Sequence, residues 1–257
     1  MKVVIFCGGM GTRLREETEY RPKPMVPVGE RPILWHIMKT YARFGHKEFI
    51  LCLGYKGEVI KDYFRNYHWN TSDVTLRLGP SPKIKYHNQH DEEDWIVTLV
   101  DTGLATMTGG RLKRVLRFIE EDTFLLTYGD GLIDSDINAS IDFHKKEGKI
   151  VTITAVRPAG RFGDLEIQGT KVSAFKEKAE QQPGFINGGF FVMNKRVGNY
   201  LTDDQCVLEQ QPLNQLASEG QISAYVHTGF WQCMDTYREQ QLLTQMWNSG
   251  KAAWKTW

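Results

Sequence analysis

Cysteine is scarce in this chain of 257 residues: only Cys7, Cys52, Cys206 and Cys233 occur, and no two of them form a C-x-x-C pair. A disulfide framework is therefore not expected; free thiols in a reducing compartment are, with the cytoplasm as the default location. An excess of charge is missing too. Lys and Arg number 32 against 31 Asp and Glu, a net charge of +1, so the chain does not read as a general polyanion binder and nucleic acid is not an expected partner. No apolar run approaches the roughly 20 residues that span a bilayer, and no basic leader with a long apolar stretch precedes "KVVIF", so no membrane association is expected. Internal repeats, low-complexity linkers and composition breaks are absent as well, which favours one domain over 1–257 rather than two independent cores.

What is present is an alternation of two textures. "KVVIF", "EFILCL", "IVTLV", "TFLLT" and "IVTITAV" are rich in Val, Ile, Leu and Phe without strict alternation, as expected of parallel strands buried on both faces. Helical patterns lie between them. Ile33, Leu34, Ile37, Met38, Tyr41 and Phe44 mark one face, opened by Pro32 and closed by Gly45; Val59, Ile60, Tyr63 and Phe64 mark a second; Ile137, Ile141 and Phe143 a third. The expected class is α/β, a doubly wound and mostly parallel sheet. After Val156 come a hairpin pattern split at Gly169-Thr170, a strand in "NGGFFVMN" and an amphipathic helix from "TYREQQLL", an elaboration of the same core. Trp247, Trp254 and Trp257 suggest either a buried tail or a subunit contact.

The first strand runs into Gly8, Gly9 and Gly11, and then into Arg13, Arg15, Arg21 and Lys23. Glycines after a first strand let backbone N–H groups close around an anion. The dinucleotide fingerprint G-x-G-x-x-G fails at Leu14 and lacks an acid after the second strand; the P-loop pattern is absent. What remains is G-G-x-G-T-R-L followed by "RPKPM". Pro22 and Pro24 stiffen the backbone around Lys23, and Arg13 and Lys23 offer a fork and a point charge to phosphate oxygens. A solvated basic loop is the competing reading.

Two acids stand out. Asp130 in "TYGDG" follows a buried strand, where ligands of open α/β sheets gather, although Asp-Gly is also a turn signal. Asp235 in "WQCMDT" reads equally as an acid at a helix N-terminus. "HNQHDEED" has two histidines among acids but no helical spacing, and reads as a charged surface loop rather than a zinc site. Glu177 and Lys178 in "FKEK" end a short strand, where both can reach a cleft or stand as a solvated pair.

The G-G-x-G-T-R-L and P-K-P-M motifs resemble those of the sugar-phosphate nucleotidyltransferases, the NDP-sugar pyrophosphorylases, and the likeness extends over the chain. "PILWHIMK", "VTLVDTG", "MTGGRLKRV", "GRFGDLEI", "NGGFFV", "GFWQCMDT" and "WKTW" are similar to the branch of that superfamily that uses CTP. The resemblance implies a Rossmann-like nucleotide-diphospho-sugar transferase fold whose C-terminal half serves sugar binding and oligomerisation. It implies a Mg²⁺-dependent reaction of CTP with α-D-glucose 1-phosphate to CDP-glucose and pyrophosphate, by direct in-line attack, in a homo-oligomer. It assigns catalytic roles to Arg13, Lys23 and Lys178, and metal binding to Asp130 and Asp235. Substrate contacts fall on Cys7, Gly8, Gly9, Met10, Gly11, Thr12, Arg13, Lys23, Thr106, Gly110, Arg111 and Gly129. Those on the sugar side fall on Gly163, Glu177, Lys178, Asn187 and Gly188. Gly109 and Gly110 are expected to admit a flat base, and Arg111 to donate to it. Ala179 stands where the family has proline after Glu-Lys. Use of UTP or dTTP, and a non-catalytic nucleotide-sugar sensor, remain alternatives. A dehydrogenase is disfavoured by Leu14 and the missing ribose acid.

Overall fold

Val3 and Ile5 pack into one core and Val4 and Phe6 into another, because the first strand, β1 (Lys2–Phe6), is covered on both faces. A parallel strand of this kind has no polar side, which is why the run does not alternate. The computed structural model describes residues 1–87, 94–158, 164–168, 171–176 and 184–257, with 164–168 and 171–176 given by backbone alone. After β1 come α1 (Arg15–Thr18), β2 (Pro27–Val28), β3 (Arg31–Pro32), α2 (Ile33–Arg43), β4 (Glu48–Leu53), α3 (Gly57–Arg65) and α4 (Tyr67–Thr71). The middle supplies β5 (Asp73–Arg77), β6 (Lys83–His87), β7 (Ile96–Asp101), α5 (Thr108–Val115), β8 (Thr123–Tyr128), β9 (Gly131–Ile133), α6 (Ile137–Glu147) and β10 (Val151–Val156). The chain continues with β11 (Asp164–Gln168), β12 (Lys171–Lys176), β13 (Ile186–Asn194), α7 (Gln211–Ser218), β14 (Ile222–Val226), β15 (Trp231–Cys233) and α8 (Tyr237–Asn248).

The main sheet has the order β14-β10-β13-β8-β1-β4-β7. Its strands are parallel except β13, which runs against both neighbours, β8 and β10. The mostly parallel α/β expectation is thus met. β11 and β12 pair antiparallel, as the hairpin pattern predicts; the turn at Gly169-Thr170 lies outside the described residues. Helix α2 starts after Pro32 and is followed by Gly45 at φ 86. Helix α6 differs from expectation in one residue: its buried face carries Ile137, Ser140, Ile141 and His144, while Phe143 is only half-buried. The His144 ring takes the inner position because Thr152 Oγ1 lies 2.8 Å from its Nδ1.

Helix α8 opens with a reciprocal cap between Thr236 and Glu239. Beyond it the chain returns to its own core. Trp254 is fully buried, stacked with Phe230 and Trp247 and edge-on to His36. His36 Nε2 donates to Val28 O at 2.9 Å and its Nδ1 accepts from Trp254 Nε1 at 3.3 Å. Of the two readings open for the tail tryptophans, packing on the chain's own core is the one Trp254 adopts. No helix among the described residues is long and apolar enough to cross a membrane.

Candidate active site

Beyond Phe6 the glycine-rich loop crosses the carboxyl end of β1. Gly11 adopts φ 62, ψ 33, and a Cβ there would lie 2.7 Å from Thr18 Cγ2 and 3.1 Å from Lys23 Cβ. Only glycine accepts both that conformation and that crowding. The Pro-Lys-Pro turn packs on a second glycine: a Cβ on Gly129 would lie 2.7 Å from Pro24 Cγ and 2.7 Å from Phe6 O. Seating Pro24 on Gly129 puts Lys23 beside the next residue, Asp130.

Asp235 reaches the same place by strand pairing. β15 runs antiparallel to β9 with Cys233 opposite Gly131, and Met234 N–H donates to Asp130 O at 2.8 Å. Lys23 Nζ donates to Asp130 Oδ2 and to Asp235 Oδ1, each at 2.6 Å, and Arg13 Nη1 donates to Asp235 Oδ2 at 2.8 Å. The Lys23 side chain is 11% exposed and that of Arg13 74%. Burial works to lower the Lys23 pKa, but the two carboxylates outweigh it and hold the ammonium above the usual lysine value. Beside them the Cys233 thiol is pushed up to about 11, by burial first and then by Asp235.

Two cavities meet at this cluster. One, of about 740 Å³, is lined by Cys7 to Arg13, Lys23, Thr106, Arg111, Gly129 and Asp130 among others. The other, of about 380 Å³, is lined by residues that include Asn187, Gly188, Trp231, Cys233 and Asp235. Arg13, Tyr128 and Asp130 line both. The loop, the metal-candidate acids, Thr106 and Arg111 therefore gather around one opening, and Asn187 and Gly188 around its neighbour. Gly163, Glu177 and Lys178 lie outside the described residues. So do His90 and most of the "HNQHDEED" loop, whose flanking Asp94 pairs with Lys47.

Gly109, Gly110 and Arg111 stand in the first turn of α5, and each meets other parts of the chain. Gly109 and Gly110 lie close to the 203–206 backbone. A Cβ on Gly110 would lie 2.7 Å from Asp204 Cα, one on Gly109 would lie 2.8 Å from Cys206 O, and both N–H groups donate to Cys206 O. These glycines let α5 start against the 203–206 backbone, and Gly110 is not part of the large cavity's lining. Arg111 is 5% exposed. Its Nη1 donates to Leu53 O and Thr102 Oγ1, and its Nη2 to Gly8 O and Leu104 O. Both terminal nitrogens are thus committed to the protein, and the guanidinium lies where a Cβ on Gly8 or Gly54 would stand. Arg111 thereby braces the floor of the glycine loop while also lining the large cavity.

Sequence reasoning missed Tyr128 and Glu209. Tyr128 donates to Glu209 Oε1 at 2.5 Å, and Thr108 Oγ1 to Glu209 Oε2 at 2.6 Å. Glu209 lies in an irregular stretch with no local pattern that would mark it. Trp231, whose Nε1 donates to Gly188 O at 2.7 Å, was likewise unmarked.

A glycine loop at a strand end, cations over paired carboxylates and two adjoining cavities suit the joining of two phosphate-bearing substrates. The family model described as nucleotidyl transferase matches residues 2–236, and the chain belongs to that family. Over 258 aligned residues, all of both chains, it is 53% identical to the glucose-1-phosphate cytidylyltransferase of Salmonella typhi. It is 31% identical over 201 residues to the D-glycero-alpha-D-manno-heptose 1-phosphate guanylyltransferase of Campylobacter jejuni, covering 77% of this chain and 78% of that one. The crystal structure of HddC from Yersinia pseudotuberculosis shares the fold, with a TM-score of 0.69 at 23% identity, over 96% of this chain and 99% of that one. The chain is an enzyme, a nucleotidyltransferase.

Proposed function

We propose that this enzyme condenses CTP with α-D-glucose 1-phosphate to give CDP-glucose and pyrophosphate. The observation that carries this reading is the full-length 53% identity to a glucose-1-phosphate cytidylyltransferase. The paired cavities support it, since the α-phosphate and the sugar phosphate must meet between their sites. An oxygen of the sugar phosphate attacks the α-phosphorus in line, the bond from that phosphorus to the β-phosphate bridging oxygen breaks, and pyrophosphate leaves. A phosphate monoester has a second pKa near ~6 and is already largely ionised at neutral pH, so the enzyme needs no general base. Its work is positioning and charge neutralisation.

The glycine loop and Arg13 hold the nucleotide phosphates in this reading, and Lys23 shifts its charge from the carboxylates toward them. Lys178 orients the attacking phosphate and Glu177 binds sugar hydroxyls; these two roles rest on sequence motif. The family is generally dependent on a divalent metal. Magnesium fits here because the donors are hard carboxylate oxygens, and because Asp130 and Asp235 already converge on one cation, the Lys23 ammonium. Asp130 and Asp235 would hold it together with the nucleotide phosphates, and it would supply charge neutralisation at the α-phosphate. The chain is read as one nucleotidyltransferase domain, both cores lying on a single sheet. It is read as cytoplasmic, its four cysteines being free. It is read as a homo-oligomer, with Leu76, Leu78 and Ile84 exposed on the β5–β6 hairpin as apolar surface for a second copy.

The test is pyrophosphate release from glucose 1-phosphate with CTP, UTP or dTTP. A site that leaves polar groups unpaired against the wrong base can discriminate by about 10⁴ in kcat/KM, and that preference for CTP is expected. Comparable turnover with UTP or dTTP would move the enzyme to another branch of the family.

A further inference from the structure

We propose that Glu209 is a positioning residue that orients the sugar-phosphate cavity through Tyr128 and Asn187, and ties it to the nucleotide cavity through Thr108. The proposal rests on the substrate reading above. Tyr128 ends β8 and lines both cavities. Its ring has no freedom to swing. It packs on Gly189, where φ is 80 and a Cβ would lie 2.5 Å from Tyr128 Cδ2, and it stands edge-on to Phe191 at 5.9 Å.

The directions of the hydrogen bonds follow from one fact: an ionised carboxylate only accepts. The Tyr128 hydroxyl and the Thr108 hydroxyl must therefore both donate into Glu209. Thr108 Oγ1 is left to accept, and does so from Leu208 N–H at 2.9 Å. The Tyr128 oxygen is left with lone pairs only, and the Asn187 amide nitrogen donates to it at 3.5 Å. The Asn187 carbonyl oxygen accepts from Gly189 N–H at 2.8 Å. The Asn187 amide is thus fixed in one of its two orientations, with its remaining N–H unpartnered among the described residues and available to a substrate oxygen. Burial first, and then the Glu209 carboxylate, push the Tyr128 phenol far above its usual pKa, so the donor stays in place at neutral pH.

Replacing the carboxylate by an amide breaks this logic. In Glu209→Gln the nitrogen would donate either to the second lone pair of Thr108 Oγ1, which strands the Thr108 proton, or to Tyr128, which would reverse the phenol and turn the Asn187 amide over. The substrate affected is the one that meets Asn187, a hydroxyl-bearing sugar phosphate, rather than the nucleotide.

Steady-state kinetics with CTP and glucose 1-phosphate test this on wild type, Glu209→Gln, Tyr128→Phe and the double variant. Each single variant should raise KM for glucose 1-phosphate by about tenfold, the worth of one well-placed hydrogen bond, with KM for CTP changed less than about threefold. The double variant should be no worse than the poorer single one, because both changes cut one chain. Tyr128→Phe keeps the ring and its packing, so it guards against a loss due to misfolding. Unchanged KM for glucose 1-phosphate in both singles, equal losses for both substrates, or losses that multiply in the double variant would each overturn the proposal. Wild-type enzyme that releases no pyrophosphate from these substrates would sink the substrate reading instead. The positioning claim would then be judged by calorimetric binding of glucose 1-phosphate, with equal affinity across the variants overturning it.

Discussion

Asp130 and Asp235, far apart in the chain, share one ammonium: Lys23 Nζ lies 2.6 Å from a carboxylate oxygen of each. Without a cation between them the two acids would repel at short range. Lys23 supplies it in the free enzyme; in the proposed mechanism Asp130 and Asp235 would hold a divalent ion instead, and Lys23 would serve the nucleotide phosphates.

The metal assignment makes the first prediction. Chelation by EDTA should abolish pyrophosphate release and Mg²⁺ should restore it. Asp130→Asn should lower kcat by about 10²-fold or more, since developing phosphate charge loses its counter-ion. Turnover by Asp130→Asn close to that of wild type would contradict the role given to this residue.

Lys23 and Arg13 should separate in stability though not in activity. Lys23 is largely enclosed and balances two carboxylates, and breaking such an arrangement from one side typically costs about 3–5 kcal/mol. Arg13 is mostly exposed, and its ion pair with Asp235 is worth about 1 kcal/mol or less. Thermal melts should therefore show a clear loss for Lys23→Met and little change for Arg13→Ala. Both variants should lose at least about tenfold in kcat/KM for CTP, through charge-assisted contacts to phosphate. A Lys23→Met protein that melts like wild type would leave the lysine a purely catalytic role.

Arg111 should behave as a brace. Arg111→Lys cannot reach Leu53 O, Gly8 O and Thr102 Oγ1 together; Leu53 O and Gly8 O keep the Thr102 and Tyr55 N–H donors, but a buried acceptor such as Thr102 Oγ1 left unpaired costs about 1–3 kcal/mol. A lower melting temperature and a raised KM for CTP are expected, with the ratio of kcat/KM for CTP over UTP kept within about threefold of wild type. A selective fall in that ratio at unchanged melting temperature would restore a direct contact between Arg111 and the base.

Acid should weaken the docking of the tail. Burial lowers the His36 pKa from 6.5 to about 4, so the folded protein holds the neutral ring while the unfolded chain takes up a proton below 6.5. The unfolded state binds more protons in that window. Stability is therefore full above pH 6.5 and is lost as pH falls toward 4, by up to about 3 kcal/mol. Melting temperatures between about pH 7.5 and pH 5 should fall more steeply for wild type than for His36→Gln. The variant keeps a residual slope, because burial also lowers His46 and His144. Parallel slopes would place the acid sensitivity outside His36.

By itself the sequence determined the parallel strands β1, β4, β7, β8 and β10, the helix between Pro32 and Gly45, the glycine loop and the stiffened turn around Lys23. Those features are written in a few neighbouring residues: burial on both faces makes an apolar run, and a left-handed or crowded backbone position demands glycine, as at Gly11. The motifs also named the acids. Tertiary structure alone decided what each charged group meets. Asp235 joins Asp130 because Cys233 pairs with Gly131, a register no local pattern records. An arginine in a glycine-rich stretch looks the same whether or not its fork meets the backbone, and the contacts of Arg111 exist only because β4 and the loops after β1 and β7 close around it. Gly110 shows the same limit, since a missing side chain does not say which neighbour needs the space. Glu209 carried no signal, because its partners Tyr128 and Thr108 come from distant parts of the chain. Backbone conformation and burial depend on near neighbours, whereas a charge or a donor takes its meaning from whatever the finished fold sets within about 3 Å of it.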